Sequence, residues 1–262
     1  LFKPGNIHIY TYGVFLAFGF LAALILGKKE AARQGVSPQH INDLFFYILI
    51  SAIAGSRLFY IATDPLTFIE NPLEIFKIWN GGLVFYGGFI TAFITAVIYM
   101  KKNKLPLLKI TDITAPSLAL GHFIGRLGCF FAGCCYGKAC DLPWAVTFRH
   151  PDSLAPLNTP IHPTQLYSSF SNLAIFTLLM FVRKKKKFDG QIFFLYVAVY
   201  GCARSVVEFF RDDFRGGFLF GAVSLSQTLG WILAAASIFA MVILSKRSNS
   251  YGQTLKNARD SI

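Results

Sequence analysis

Apolar residues run in seven long stretches along this chain, at about 10–27, 43–62, 83–100, 112–132, 165–182, 190–209 and 222–244, joined by shorter polar connections. Each stretch is long enough to cross roughly 30 Å of hydrocarbon as a helix. The pattern therefore predicts an all-α membrane protein, a seven-transmembrane helical bundle. Positive charge punctuates it in blocks: Lys28-Lys29 with Arg33, Lys101-Lys102 with Lys104, Arg183 to Lys187, and Lys246-Arg247. Threaded alternately with the N-terminus outside (periplasmic), all four blocks land on one side, as cytoplasmic loops should. The connections 63–82, 137–163 and 212–221 then fall outside. An odd number of crossings leaves the C-terminus cytoplasmic.

Composition supports the membrane reading and removes its competitors. The 262 residues are 54% hydrophobic, 16% aromatic and 15% charged, which excludes a disordered chain and argues against a soluble globular domain. The net charge of +12 does not point to nucleic acid, because no base-stacking aromatics are interleaved with the basic blocks. No basic n-region precedes the first apolar run, so no cleavable signal peptide is expected. With no internal repeat, the chain reads as a single integral-membrane domain, 1–262. It carries an irregular, proline-rich outside loop at about 137–163 and a cytoplasmic tail after about 245.

Within this apolar pattern a few polar residues stand out. Arg126 lies deep in the fourth stretch, and Arg57 and Arg204 lie in the second and sixth. A guanidinium in hydrocarbon costs about 2.5–3.5 kcal/mol even on insertion scales, so it must face a bundle interior and meet an anion there. Nearby carboxylates are too few for three arginines, and part of the negative charge is expected from a ligand. Tyr200, Arg204, Glu208 and Arg211 recur at helical spacing and share one face. An intrahelical Arg204–Glu208 pair that locks packing explains part of this stripe, but neither Tyr200 nor Arg211. Glycines 81, 82, 87 and 88 surround Tyr86 at the start of the third stretch, suiting either an anion near a helix start or close helix contact.

The run His162-Pro163-Thr164-Gln165-Leu166-Tyr167 opens the fifth stretch, with Thr164 or His162 as candidate caps and Pro163 fitting the first turn. Gln165 and Tyr167 mark a polar spot near the outer surface. His8, His40 and His150 read as loop histidines; His122 suits the cavity of Arg126 or plain packing. Cys129, Cys134, Cys135 and Cys140 cluster at the outer end of the fourth stretch. Their spacing is not the paired C-x-x-C of structural zinc, so no metal site is assigned. Some of them read as small packing residues, and Cys134–Cys140 is a candidate bridge.

These stretches together resemble the bacterial prolipoprotein diacylglyceryl transferases. G-R-L-G-C-F-F-A-G-C-C-Y-G, from Gly125 to Gly137, is similar to that family's usual G-R-x-G-N-F-x-N-x-E-x-[YW]-G. H-P-T-Q-L-Y, Y-G-C-A-R-S-V-V-E-F-F-R and V-S-L-S-Q follow in family order, and Tyr12-Gly13 and Gly55-Ser56-Arg57 also fit. The likeness spans about residues 10–244. It implies a seven-span enzyme of the bacterial cytoplasmic (inner) membrane, without metal or organic cofactor. The implied reaction moves the diacylglyceryl group of phosphatidylglycerol onto the lipobox cysteine thiol of preprolipoproteins, releasing glycerol-1-phosphate. Its partners are those two substrates and membrane lipids, with no nucleic acid.

On this reading Arg126 and Arg204 hold the lipid phosphate, and Tyr200 and Tyr86 complete the catalytic set. Tyr12, Arg57, Gly87, Gly88, Glu208, Arg211, His162, Gln165 and Tyr167 bind substrate or lipid. The chain departs from the family at four places. Tyr86 stands where many members have a histidine favoured as base, and a tyrosine near pKa ~10 is a poor base. Tyr200 or a phosphate oxygen is then left to take the proton. Cys129, Ala132 and Cys134 replace the signature's Asn, Asn and Glu. Two rival readings use the same residues: an anion-handling transporter, which should show related halves, and a thiol oxidoreductase built on the Cys134/Cys135 pair.

Overall fold

The computed structural model describes residues 10–77, 81–212, 218–219 and 223–260. The expected outside position of the N-terminus, the loop histidine His8 and most of the 212–221 connection lie outside these residues. All seven apolar stretches fall in helices: α1 (Thr11–Arg33), α2 (Pro38–Thr63), α4 (Phe85–Lys102), α5 (Leu107–Ala132), α6 (Thr164–Val182), α7 (Gln191–Glu208) and α8 (Leu225–Asp260). A short α3 (Pro65–Glu70) and a 3-10 turn (Pro72–Phe76) fill the connection between α2 and α4. α8 runs on to Asp260, so the chain beyond 245 continues the last helix.

Four helical segments are long and apolar enough to cross a membrane: Thr11–Arg33, Pro38–Thr63, Thr164–Lys185 and Ser226–Ser248. The other three are diluted by polar residues, Lys101-Lys102 in α4, His122 and Arg126 in α5, Arg204 and Glu208 in α7. The burial pattern is that of a protein in lipid. Phe18, Phe46, Phe93 and Phe239 are exposed, whereas Gln165, Ser169, Asn172 and Ser205 are buried. Apolar side chains facing outward and polar ones inward invert the soluble arrangement.

The chain divides into two compact units, residues 28–110 and residues 1–27 with 111–262. In the first, α2 packs on α4 through small residues. A Cβ on Gly55 would strike Thr91, and one on Gly88 would strike Ser56. Thr91 Oγ1 donates to the Ser51 carbonyl at 2.8 Å, tying the helices at that crossing.

In the second unit, α7 crosses α8 where Gly201 faces the Gly230 carbonyl. Ala115, Ala119, Ile175, Leu179, Ile192 and Tyr196 form a buried apolar cluster joining α5, α6 and α7. At one end of that cluster the buried Asp112 accepts from the backbone N–H groups of Gly190 and Phe193, both at 2.8 Å. It thereby satisfies donors that the start of α7 leaves free. Lys186 Nζ completes the node at 2.9 Å from Asp112 and 2.7 Å from Asp189. The loop expected to be irregular does hold one short antiparallel pair, β1 (Val146–Thr147) with β2 (Pro160–Ile161). A second pair, β3 (Phe218–Leu219) and β4 (Val223–Ser224), precedes α8.

Candidate functional site

The site residues expected from sequence fall in both units. In the unit of residues 28–110, Arg57 is buried, and its donors meet the chain's own backbone. Nε donates to the Ile75 carbonyl at 3.0 Å, Nη1 to Gly81 at 2.8 Å and Gly82 at 3.2 Å, and Nη2 to Glu74. The guanidinium also lies over the Tyr60 and Phe68 rings, 5.4 and 5.3 Å from their centroids. Arg57 thus holds residues 74–75 and 81–82 together.

Gly81 and Gly82, with φ of 89° and 74°, turn their carbonyls to it in a backbone conformation that suits glycine. Gly87 and Gly88 are buried against α2, where an added Cβ would meet the Gly55 carbonyl and Ser56. Here the glycines serve helix packing. Tyr86 is exposed, and its ring lies edge-on to Phe85 at 5.8 Å.

The other unit contains the cleft. Arg126 on α5, Ser168, Ser171 and Asn172 on α6, and Tyr200 and Arg204 on α7 line it together, with Ile175, Ala203 and Val207 as its apolar wall. Helical spacing brings Ser168 and Asn172, and likewise Tyr200 and Arg204, onto common faces. Among the described residues Arg126 makes no hydrogen bond or ion pair; its electrostatic neighbours are Tyr200, Cys129, Cys135 and the like-charged Arg211. Asn172 Nδ2 donates to the Ser168 carbonyl at 2.7 Å, while its buried Oδ1 has no partner.

Arg204 differs from Arg126 because it has an acid. Its Nη1 is paired with Glu208, whose other oxygen accepts from Ser224 Oγ at 3.0 Å. Arg211 Nε lies 3.9 Å from the same carboxylate. The expected stripe is therefore real, and Glu208 sits between two arginines as a shared counter-charge that fixes them. Ser224 and Gln227 brace it from the V-S-L-S-Q stretch: Ser224 N–H donates to Gln227 Oε1 at 3.0 Å, and Gln227 N–H to Ser224 Oγ at 3.2 Å. Tyr200 stacks on Tyr196 at 5.6 Å and lies 5.4 Å from His122, which Tyr196 Oη meets at 2.9 Å. His122, left open by sequence, thus belongs to the aromatic group that holds Tyr200.

Two residues beyond Arg126, Tyr12 and Phe15 close on Gly128, where an added Cβ would collide. Tyr12 lies within electrostatic reach of Arg126 and of three cysteines. The H-P-T-Q-L-Y run ties the following loop to α6. Thr164 Oγ1 donates to the Cys135 carbonyl at 2.7 Å and Gln165 Nε2 to the Cys134 carbonyl at 2.9 Å. Tyr167 Oη accepts from Trp144 Nε1 at 2.8 Å and lies 3.1 Å from His162 Nδ1.

Neither expected cap forms, since Pro163 occupies the N-cap and makes no side-chain cap bond. None of the five cysteines forms a disulfide, so the Cys134–Cys140 bridge is absent. Instead the sulfurs of Cys129, Cys134 and Cys135 gather. Hydrogen bonding among these sulfurs and burial push the Cys134 thiol well above its ordinary range, which makes it a poor redox nucleophile.

What this arrangement offers chemically is an anion site between the helices α5, α6 and α7. Among the described residues one guanidinium has no ion-pair partner and a second is held by an acid, with hydroxyl and amide groups beside them. Ser168, Ser171 and Asn172 escaped the sequence reading. Their only signal was helical spacing from Gln165 onward in α6.

Comparison with known proteins agrees with this chemistry. The family model described as prolipoprotein diacylglyceryl transferase matches residues 1–243. A phosphatidylglycerol–prolipoprotein diacylglyceryl transferase of Clostridium tetani is 42% identical over 93% of this chain and 93% of its own. Proteins of the same name from Finegoldia magna, 37% identical over 93% and 92%, and Geobacter sulfurreducens, 32% identical over 94% and 95%, match similarly. These names give no support to a transporter or a thiol oxidoreductase.

Proposed function

The chain belongs to the prolipoprotein diacylglyceryl transferase family, and we propose that it moves the diacylglyceryl group of phosphatidylglycerol onto the lipobox cysteine of preprolipoproteins. In that reaction the cysteine sulfur attacks the glycerol carbon that carries the phosphate oxygen. The S–C bond forms, the C–O bond breaks, and glycerol-1-phosphate leaves with the electron pair. The thiol proton ends on a phosphate oxygen of the departing glycerol-1-phosphate, directly or relayed through the Tyr200 hydroxyl.

The observation that carries this reading is Arg126, charged at any physiological pH, inside a cleft and with no acid paired to it among the described residues. An anionic headgroup supplies the missing charge. Guanidinium forks match phosphate in shape, and negative charge grows on the departing phosphate as the C–O bond stretches. Fixed arginines therefore favour the transition state over the bound lipid. Arg204, held by Glu208, is pre-oriented for the same phosphate, and Ser168, Ser171 and Asn172 face its polar head. Tyr12, on the Arg126 side of α1, is assigned to the lipid glycerol, and Tyr86 to orientation of the acceptor.

We place the enzyme in the bacterial inner membrane with seven crossings, the N-terminus outside and the C-terminus inside. The charge blocks and the three less apolar helices α4, α5 and α7 support that count. The proposal is tested by incubating purified enzyme with phosphatidylglycerol and a lipobox peptide and weighing the peptide. The expected mass gain is one diacylglyceryl group, absent with Arg126→Ala; an unmodified peptide with the intact enzyme defeats the proposal.

A further inference from the structure

We infer that Cys129, Cys134 and Cys135 form a binding site for a thiophilic cation of the zinc type. Their three sulfurs lie within 4.8 Å of one another, near enough for side-chain rotation to draw them to the ~3.8 Å edge of a tetrahedron with Zn–S bonds of about 2.3 Å.

The gathering depends on the backbone. Cys129 ends in the last turn of α5, and the chain then reverses through Gly133 at φ 72° and Cys135 at φ 62°. A non-glycine residue in the left-handed region is strained and persists only where its surroundings hold it there. Two fully buried side chains from α6 do so: Thr164 donates to the carbonyl of Cys135, and Gln165 to that of Cys134. A Cβ on Gly133 would meet Ser153, so the turn is also packed from the loop side. The strained turn carries Cys134 and Cys135 back over Cys129, and Cys134 Sγ reaches the Cys129 carbonyl at 3.7 Å.

The sequence spacing C-x4-C-C hides this convergence, because it does not follow the paired C-x-x-C pattern. Soft sulfur ligands select zinc over magnesium or calcium. Three thiolates leave a fourth tetrahedral position for water or an incoming ligand. Each thiol gives up its proton as its Zn–S bond forms. With one Zn2+ and three thiolates, the complex carries a net charge of −1. Cys140 and Cys202 take no part.

The test uses full-length enzyme, purified anaerobically in detergent, stripped with chelator and reduced. Titration with Co2+ should give a sulfur-to-metal charge-transfer band that saturates at one ion per chain and is bleached by Zn2+. The band should disappear in Cys129→Ser and Cys135→Ser, and persist in Cys140→Ser and Cys202→Ser. A second arm needs no variant. Alkylation of the native chain with and without Zn2+, read by peptide mass, should show Cys129, Cys134 and Cys135 protected by the metal and Cys140 unaffected. No saturable band, a band that survives removal of all three sulfurs, or identical alkylation in both conditions overturns the assignment. So does a disulfide among the three in protein isolated anaerobically. Because no lipid substrate enters either arm, failure here is separate from failure of the transferase reading.

Discussion

Arg57 and Arg126 are the same residue type in the same kind of place, an apolar helix, yet they are solved differently. Arg57 is surrounded by backbone carbonyls of residues 74, 75, 81 and 82 and by two aromatic faces. Arg126 has tyrosine, sulfur and another arginine near it and, among the described residues, no acid. The first pattern is that of a cation used to shape a loop; the second is that of a cation waiting for an anion. Cost alone does not separate them, since both charges lie at apolar depth. What separates them is whether the chain itself supplies partners. Asp112 teaches the same lesson in the opposite sign: two backbone N–H groups and Lys186 satisfy it fully, and it holds α7 in place.

The largest expected effect is on turnover at Arg126. Arg126→Ala should lower kcat by roughly 10²–10³-fold, as loss of one charge-stabilising donor does elsewhere, with the melting temperature nearly unchanged. Arg57→Ala should do the reverse. Losing charge-assisted bonds worth about 1.5–3 kcal/mol each should lower thermal stability clearly, and activity should recover in lipid at low temperature. If both variants behave alike, the distinction between the two arginines fails.

Glu208→Gln comes next. It leaves Arg204 and Arg211 without their shared carboxylate, and KM for phosphatidylglycerol should change by about tenfold while kcat changes less. Kinetics over a range of lipid concentrations decide this. Tyr86→Phe is expected to cost less than Tyr200→Phe, since Tyr86 is exposed whereas Tyr200 lines the arginine cleft.

The smallest effect concerns pH. Hydrogen bonds and charge from Asp189 and Asp112 outweigh burial and raise Lys186 above its usual 10.5. A cation whose folded pKa is raised stabilises fully below its unfolded value and loses that contribution as pH climbs through the folded one. Melting curves should therefore separate wild type from Lys186→Met at neutral pH and converge in strongly alkaline buffer.

Much of this was legible in the chain. Each of the seven apolar stretches marks one helix, because crossing lipid requires length and hydropathy that few other structures need, but α1 runs on to Arg33 and α8 to Asp260, well past the apolar residues. The stripe from Tyr200 to Arg211 was readable because it lies on one helix. What stayed hidden depends on contacts between distant segments. The partners of Arg57 are backbone carbonyls, which no side-chain pattern reveals. Gln165 looked like a ligand contact, yet its amide holds a carbonyl 31 residues away. The cysteine group needs a left-handed Cys135, which spacing rules do not anticipate.

The account rests on Arg126 taking its counter-charge from a lipid. A structure of the enzyme with phosphatidylglycerol bound tests this most directly. The account predicts phosphate oxygens within about 2.7–3.2 Å of the Arg126 guanidinium, with Arg204 beside them and Glu208 still on Arg204. A headgroup seated away from this cleft, with Arg126 paired instead to a protein carboxylate, contradicts it.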